Sequence, residues 1–409
     1  MHVPPFSLEN QLSTLGPELD AAVLKVLHSG QYIGGEEVNA FEKSFASNIG
    51  VPHAVSCNSG TDALILALRA LDIGPGDEVI TTSFSFFATA EAISDVGAKP
   101  VFVDVNPDTY LMNLDEIEKL ITASTKAILP VHLFGYPVDM DQLVKLAQKK
   151  NLKVIEDCAQ ACGAMWKGRS VGSWGDVGCF SFFPTKNLGA AGDGGAVTTN
   201  DTSLAQRMRE LAVHGMPTRY VHAELGYNSR LDALQAAVLN VKLPKLEAWV
   251  RKRQEIALRY QELLEDLPGI CLPASTTKTN GYHAWNQFVV RVGDWSKDEK
   301  IATRENMISS EINSNNGLPD SGCRDWLKQK LQEQGINTII YYPIPIHLQP
   351  AYKGLGYELG SLPFTEKLCS EVLSLPAFPE ITFEQQEYVA KALKELLTQP
   401  NDKREMIVA

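Results

Sequence analysis

Apolar positions along the chain follow two periods, and the change from one to the other outlines the elements. After an extended lead-in, the first 50 residues take helical spacing: Leu19, Ala22, Val23 and Val26 mark one apolar face. Val38, Phe41 and Phe45 mark a second, with the turn SGQYIGG between them. From residue 51 to 200, short runs that are apolar almost throughout alternate with helical ones. The predicted strands are Glu78–Thr82, Pro100–Val105, Ala127–Leu133, Lys153–Glu156, Gly178–Phe183 and Gly195–Thr199. The predicted helices are Thr61–Leu71, Phe87–Val96, Leu114–Ile121 and Met140–Lys149. This alternation predicts an α/β fold with a mostly parallel sheet covered on both faces by helices.

Beyond residue 240 the pattern changes. A long amphipathic helix, about Leu243 to Leu264, leads into a smaller α+β region. There the spacing predicts strand Gln287–Val292, helix Arg324–Gln334, strand Asn337–Tyr341 and helix Glu384–Leu397. Thr382 and Gln385 stand at capping-box spacing before the last helix. The expected division is a large α/β domain with an N-terminal arm over 1–250, a small α+β domain over 251–400, and a tail over 401–409. The polar segment 294–319 reads as a surface excursion.

Composition narrows the functions. Of 409 residues, 44% are hydrophobic and 21% charged, an ordinary globular balance. The formal charge of −12 argues against a nucleic-acid partner, which needs clustered Lys and Arg, but not against small anions, which local donors hold. Seven cysteines without regular spacing suggest neither a disulfide framework nor, for Cys158 and Cys162, a zinc site; no metal is expected. The N-terminus lacks a basic and apolar leader, and no apolar run reaches the ~18 residues of a membrane span. The expectation is a cytoplasmic protein with reduced thiols.

The chemistry centres on Asp176 to Asn200. An apolar run, Val177 to Phe183, is broken by Pro184; Lys186 follows, and six of the seven residues from Gly189 to Gly195 are glycine or alanine. A lysine at the end of a buried strand is desolvated, which lowers its amine pKa and makes it a nucleophile able to form a Schiff base. A surface lysine is the ordinary alternative. Asn58-Ser59-Gly60-Thr61 opens an apolar helix, where Gly60 and Thr61 suit a phosphate or a plain N-cap. Asp157 lies just past a strand, where a buried carboxylate needs a partner; a pyridinium N–H is one, a helix cap another. Phe84-Ser85-Phe86-Phe87 can stack on a flat ring or pack in the core, and the Ser181 hydroxyl can reach the same phosphate or its own backbone.

These stretches occur together with FEKSFA (41–46), SGTDALILAL (59–68), FFATAEAI (86–93), PVFVDV (100–105), IEDCAQACGA (155–164), SFFPTKNLGAAGDGG (181–195), YNSRLDALQAAV (227–238) and YYPIPIHLQPAY (341–352). In this set and order the chain resembles the DegT/DnrJ/StrS group of nucleotide-sugar aminotransferases, within the fold-type I (aspartate aminotransferase-like) pyridoxal-phosphate enzymes. The resemblance implies pyridoxal 5'-phosphate covalently held by Lys186, with pyridoxamine 5'-phosphate as intermediate. It implies Asp157 at the pyridine nitrogen, Gln160 near the 3-hydroxyl and Phe86 as the stacking aromatic. Gly60, Thr61 and Ser181 become phosphate contacts, and Asn228 reaches the phosphate of a neighbouring subunit in a homodimer with shared sites. Glutamate and a nucleotide-linked keto-sugar are the implied substrates. Arg230 and His347 are candidate substrate contacts; an intersubunit ion pair and a structural histidine are the alternatives. Two further readings compete. One is a dehydratase of the same family, whose members carry histidine in place of the lysine. The other is a non-catalytic cofactor-binding regulator, for which no DNA-binding segment is visible.

Overall fold

A computed structural model describes residues 1–274, 280–293 and 321–398; the segment 294–319 and the tail 401–409 lie outside the described residues. Helices α1 (Glu9–Ser29) and α2 (Glu36–Ile49) open the chain, each closed by a left-handed glycine, Gly30 and Gly50. Strand β1 (His53–Cys57) and helix α3 (Gly60–Ala70) follow. Then come β2 (Glu78–Thr82), α4 (Ala88–Asp95), β3 (Lys99–Val103), α5 (Leu114–Leu120), β4 (Thr125–Leu129), α6 (Met140–Lys150) and β5 (Lys153–Asp157). Short strands β6 (Met165–Trp166) and β7 (Arg169–Ser170) precede β8 (Val177–Ser181) and β9 (Gly195–Thr199). Helices α7 (Thr202–Leu211), α8 (Ala233–Lys242) and α9 (Leu246–Leu263) lead onward. Next are β10 (Ile270–Cys271), β11 (Gly281–Tyr282), β12 (Phe288–Val292), α10 (Gly322–Glu333), α11 (Pro363–Glu371), β13 (Val372–Leu375) and α12 (Phe383–Leu397).

The large sheet has seven strands in the order β1-β9-β8-β5-β4-β2-β3. β3, β2, β4, β5 and β8 are parallel; β9 runs against β8, and β1 runs against β9, which returns it to the common direction. Six strands therefore bring their carboxyl ends to one edge, and β9 brings its first residue there. The α/β expectation holds, and the predicted strands 78–82 and 195–199 match residue for residue. Pattern reading missed β1, α7, α8, α11 and β13.

Two cores position the edge. One large cluster joins Val79, Ile80, Ile128, Leu129, Ile155 and Val177 of β2, β4, β5 and β8 to apolar residues of α3, α4 and α6. In the second, Phe41 and Phe45 of α2 meet Phe180 and Phe182 edge to face, with centroids 5.0–5.2 Å apart. Strand alternation then turns Ser181, between those phenylalanines, the opposite way.

The C-terminal sheet, β10-β12-β13, is antiparallel and packs Phe288, Val290 and Leu373 against α9, α10 and α12. Thr382 and Gln385 form the expected capping box. The strand expected over Asn337–Tyr341 does not form. Val3 takes the pairing at Gly335 and Asn337, and Ile339 pairs alone with Ser374. Two partners divide a stretch that ends at Pro343, which has no N–H for a ladder.

Candidate active site

At the carboxyl edge the first part is a cradle. Ser59 caps α3, its hydroxyl accepting from the Asp62 N–H at 3.1 Å, which leaves the Gly60 and Thr61 N–H groups in the first turn without helical partners. A Cβ on Gly60 would stand 2.7 Å from Ser181 Cβ, and one on Gly195 would stand 2.3 Å from the Ser59 carbonyl oxygen. Only glycine allows the helix start, the end of β8 and the start of β9 to close on one point. The result is a helix N-terminus and a serine hydroxyl side by side, which suits a phosphate.

The second part is Asp157, buried at the end of β5 and in register with Cys179 of β8. Its Oδ1 accepts from the Ala159 N–H at 3.1 Å and its Oδ2 from the Thr89 hydroxyl at 2.8 Å. Burial pushes its carboxyl up; the two hydrogen bonds and the Lys186 charge oppose this. The adjacent Glu156 is saturated. Its oxygens accept from the Gly172, Trp174 and Gly175 N–H groups at 2.8 Å and from His132 Nε2 at 3.1 Å. His132 Nδ1 accepts from the Val138 N–H, so the ring proton is on Nε2. His132, Glu156 and Cys158 form the one group with metal-like spacing among the described residues, and these bonds occupy the histidine and carboxylate donors such a site would need.

Lys186 is the third part. Its N–H closes a turn onto the Phe183 carbonyl, and the next residue, Asn187, is buried and bonded to the Ala284 carbonyl and to Asn286. The Lys242 ammonium donates to the Gly189 carbonyl at 2.8 Å and holds the loop from the far side. Burial lowers the Lys186 amine to about 8, with the Asp157 charge opposing.

Around these stand Gln160 and Phe86. Gln160 Oε1 accepts from the Phe134 N–H at 2.8 Å, so the amide orientation is determined, and Nε2 donates to Tyr342 Oη at 2.7 Å. Phe86 is 58% exposed and leans on Tyr342, centroids 6.2 Å apart. Pattern reading missed Tyr342, Thr89 and Ser85. Tyr342 lay within the quoted YYPIPIHLQPAY stretch, where its hydroxyl beside a proline-rich turn was the available signal.

The remaining predicted residues divide. Ser229 is buried, donating to Asp62 Oδ2 at 2.6 Å and accepting from the Asn58 N–H. Asn228 and Arg230 on either side of it are exposed, and no hydrogen bond of the Arg230 side chain occurs among the described residues. His347 requires a correction. It is 1% exposed, with Nδ1 bonded to Ser83 Oγ at 2.7 Å and Nε2 to Glu366 Oε1 at 3.1 Å. Both ring nitrogens are engaged within the protein, because the 346–348 turn packs against the end of β2.

The helix N-terminus with Ser181, a desolvated lysine, a buried carboxylate and an exposed aromatic face fit a pyridoxal phosphate. The chain matches the DegT/DnrJ/EryC1/StrS aminotransferase family over residues 13–316 and 312–394, and it belongs to that family. It is 43% identical over 395 residues to the UDP-N-acetyl-3-dehydro-alpha-D-glucosamine 3-aminotransferase of Acidithiobacillus ferrooxidans, covering 97% of this chain and 98% of that one. DesV of S. venezuelae, solved with a ketimine intermediate, superposes with a TM-score of 0.88 at 42% identity, over 98% of this chain and 99% of that one. NtdA of Bacillus subtilis, solved with bound cofactor PMP, superposes with a TM-score of 0.84 at 31% identity, over 97% and 86%.

Proposed function

We propose that the protein transfers an amino group from an amino acid, glutamate, to a nucleotide-linked keto-sugar, with pyridoxal phosphate bound at the carboxyl edge of the sheet. The observation that carries this is the meeting of Lys186, Asp157 and the Gly60/Ser181 cradle on neighbouring segments of that edge. The named substrates and cofactor of similar proteins agree with it. When bound, the cofactor supplies an electron sink conjugated to the substrate Cα.

The chain's own residues do the rest. Lys186 holds the cofactor covalently through its amine. Once displaced by the amino donor it would be a base matched to working pH, able to take the proton from substrate Cα and deliver it to the cofactor carbon across the shared nitrogen. Asp157 keeps a proton on the ring nitrogen, Phe86 covers one ring face, and the Gly60 and Thr61 N–H groups with the Ser181 hydroxyl hold the phosphate. Asn228 and Arg230 are exposed, and Tyr220 and Leu225, earlier in the same connection between α7 and α8, are 79% and 86% exposed. That pairing of polar and apolar exposure fits a homodimer in which Asn228 completes the partner's phosphate site. Among the described residues no helix is long and apolar enough to cross a membrane.

The test offers glutamate and then a panel of UDP- and dTDP-linked keto-sugars, reading the aminated sugar by mass spectrometry. Borohydride reduction of the resting protein should fix the cofactor on the peptide bearing Lys186. Release of 2-oxoglutarate without amination of any sugar would overturn the acceptor class. Label on another lysine would overturn the site.

A further inference from the structure

Asp157 is held by more than its own strand. Its Oδ2 accepts the Thr89 hydroxyl at 2.8 Å, and Thr89 Oγ1 lies 2.8 Å from Ser85 Oγ. Ser85, Thr89 and Asp157 are all at least nine-tenths buried. The directions follow from the chemistry. An ionised carboxylate only accepts, so Thr89 spends its single proton on Asp157, and Ser85 must donate to the oxygen of Thr89. Two hydroxyl dipoles thus line up toward one carboxylate oxygen.

The chain of bonds starts next to the exposed aromatic. Ser85 immediately precedes Phe86 in the turn between β2 and α4, and Thr89 sits in the first turn of α4. The other side of that turn is clamped at Ser83. Its carbonyl accepts the Ile346 N–H at 3.0 Å, and its hydroxyl accepts the His347 N–H at 3.0 Å. Phe86 is therefore carried on a segment pinned at both ends, with one pin tied directly to the acid.

We infer that Thr89, backed by Ser85, is a positioning residue that holds Asp157 ionised and aimed at the ring nitrogen and couples that carboxylate to the wall formed by Phe86. The inference rests on the reading of Asp157 as the ring-nitrogen partner. Besides Thr89 and the Ala159 N–H, the titratable groups beside Asp157 are Lys186, His132, Cys158, Cys179 and Tyr342, and burial keeps the two thiols and the phenol protonated. His132 is committed to Glu156 and Lys186 to the cofactor. The hydroxyl pair is thus the neutral support that stays in place while Lys186 moves.

The experiment uses holoenzyme reconstituted with cofactor labelled with 15N in the ring, comparing wild type with Thr89→Val, Thr89→Ser, Ser85→Ala and Asp157→Asn. The readouts are the ring 15N shift and kcat at saturating substrates. Thr89→Val should move the signal toward the unprotonated position and lower kcat by about 10- to 100-fold, the scale of one hydrogen bond to a charged group. Thr89→Ser should restore both, and Ser85→Ala should move both in the same direction by less. If Thr89→Val does not fold, Ser85→Ala, which leaves Thr89 in place, carries the test. An unmoved 15N signal in the folded Thr89 or Ser85 variants, with Asp157→Asn displaced, overturns the inference and leaves the role of Asp157 standing. A signal unmoved in Asp157→Asn overturns the role of Asp157 and the inference with it.

Discussion

Replacing Lys186 with methionine should make the cofactor-free protein more stable at neutral pH. Burial holds the amine at about 8 against an ordinary 10.5. That difference of about 2.5, at about 1.36 kcal/mol per pH unit, gives about 3 kcal/mol as the cost of keeping a folded protonated lysine at pH 7. Methionine has similar length, is unbranched and carries no charge, so it fills the space without that cost. The full value is an upper bound, because the lysine also attracts buried Asp157 and the variant loses that attraction. The pH sign follows from linkage. Between about 8 and 10.5 the unfolded chain binds the proton and the folded one does not, so wild-type stability rises with pH across that window. The advantage of Lys186→Met is therefore greatest below pH 8 and shrinks toward pH 10.5. Urea midpoints of the two cofactor-free proteins, taken from pH 6.5 to 10.5 at unchanged slope, measure it. Equal midpoints at pH 7, or a gap indifferent to pH, would refute the argument that Lys186 is held desolvated.

Two further predictions concern the frame around the site. Glu156→Gln can keep only two of the four hydrogen bonds and leaves two buried donors facing an amide N–H₂; at ~1–3 kcal/mol each, the loss is about 2–6 kcal/mol. An unchanged urea midpoint would contradict the bonding of that carboxylate. Gly195→Ala places a Cβ 2.3 Å from the Ser59 carbonyl, whereas on Gly192 the nearest atom is the end of the Gln235 side chain at 3.2 Å. Overpacking of ~1–3 kcal/mol should weaken cofactor binding about 10- to 100-fold in Gly195→Ala and little in Gly192→Ala. Fluorescence titration of the cofactor separates the two, and equal affinities would show that the cradle does not depend on that close approach.

The sequence by itself determined the alternation of apolar runs and helices, and with it a parallel sheet whose carboxyl edge carries Asp157, Ser181 and Lys186. Those signals are local: a buried strand is apolar whatever lies beside it, whereas the desolvation of Lys186 comes from packing, since its chain neighbours Phe183 and Thr185 are exposed. Which segments meet was decided by tertiary structure. Nothing in HAVSC (53–57) announces an edge strand pairing with β9, since its hydrogen bonds go to residues far along the chain. The closeness of Gly60 to Ser181 and of Gly195 to Ser59 exists only once β9 reverses between β1 and β8. Thr89 and Tyr342 reach their partners Asp157 and Gln160 across 68 and 182 positions, with no periodicity to reveal them. His347 shows the converse. Its motif suggested a ligand contact, and burial between Ser83 and Glu366 assigned its nitrogens to the protein instead. Side-chain identity states what chemistry a residue can do, and a hydrogen bond, being short and directional, is allotted only by the packing that brings two groups within 3 Å.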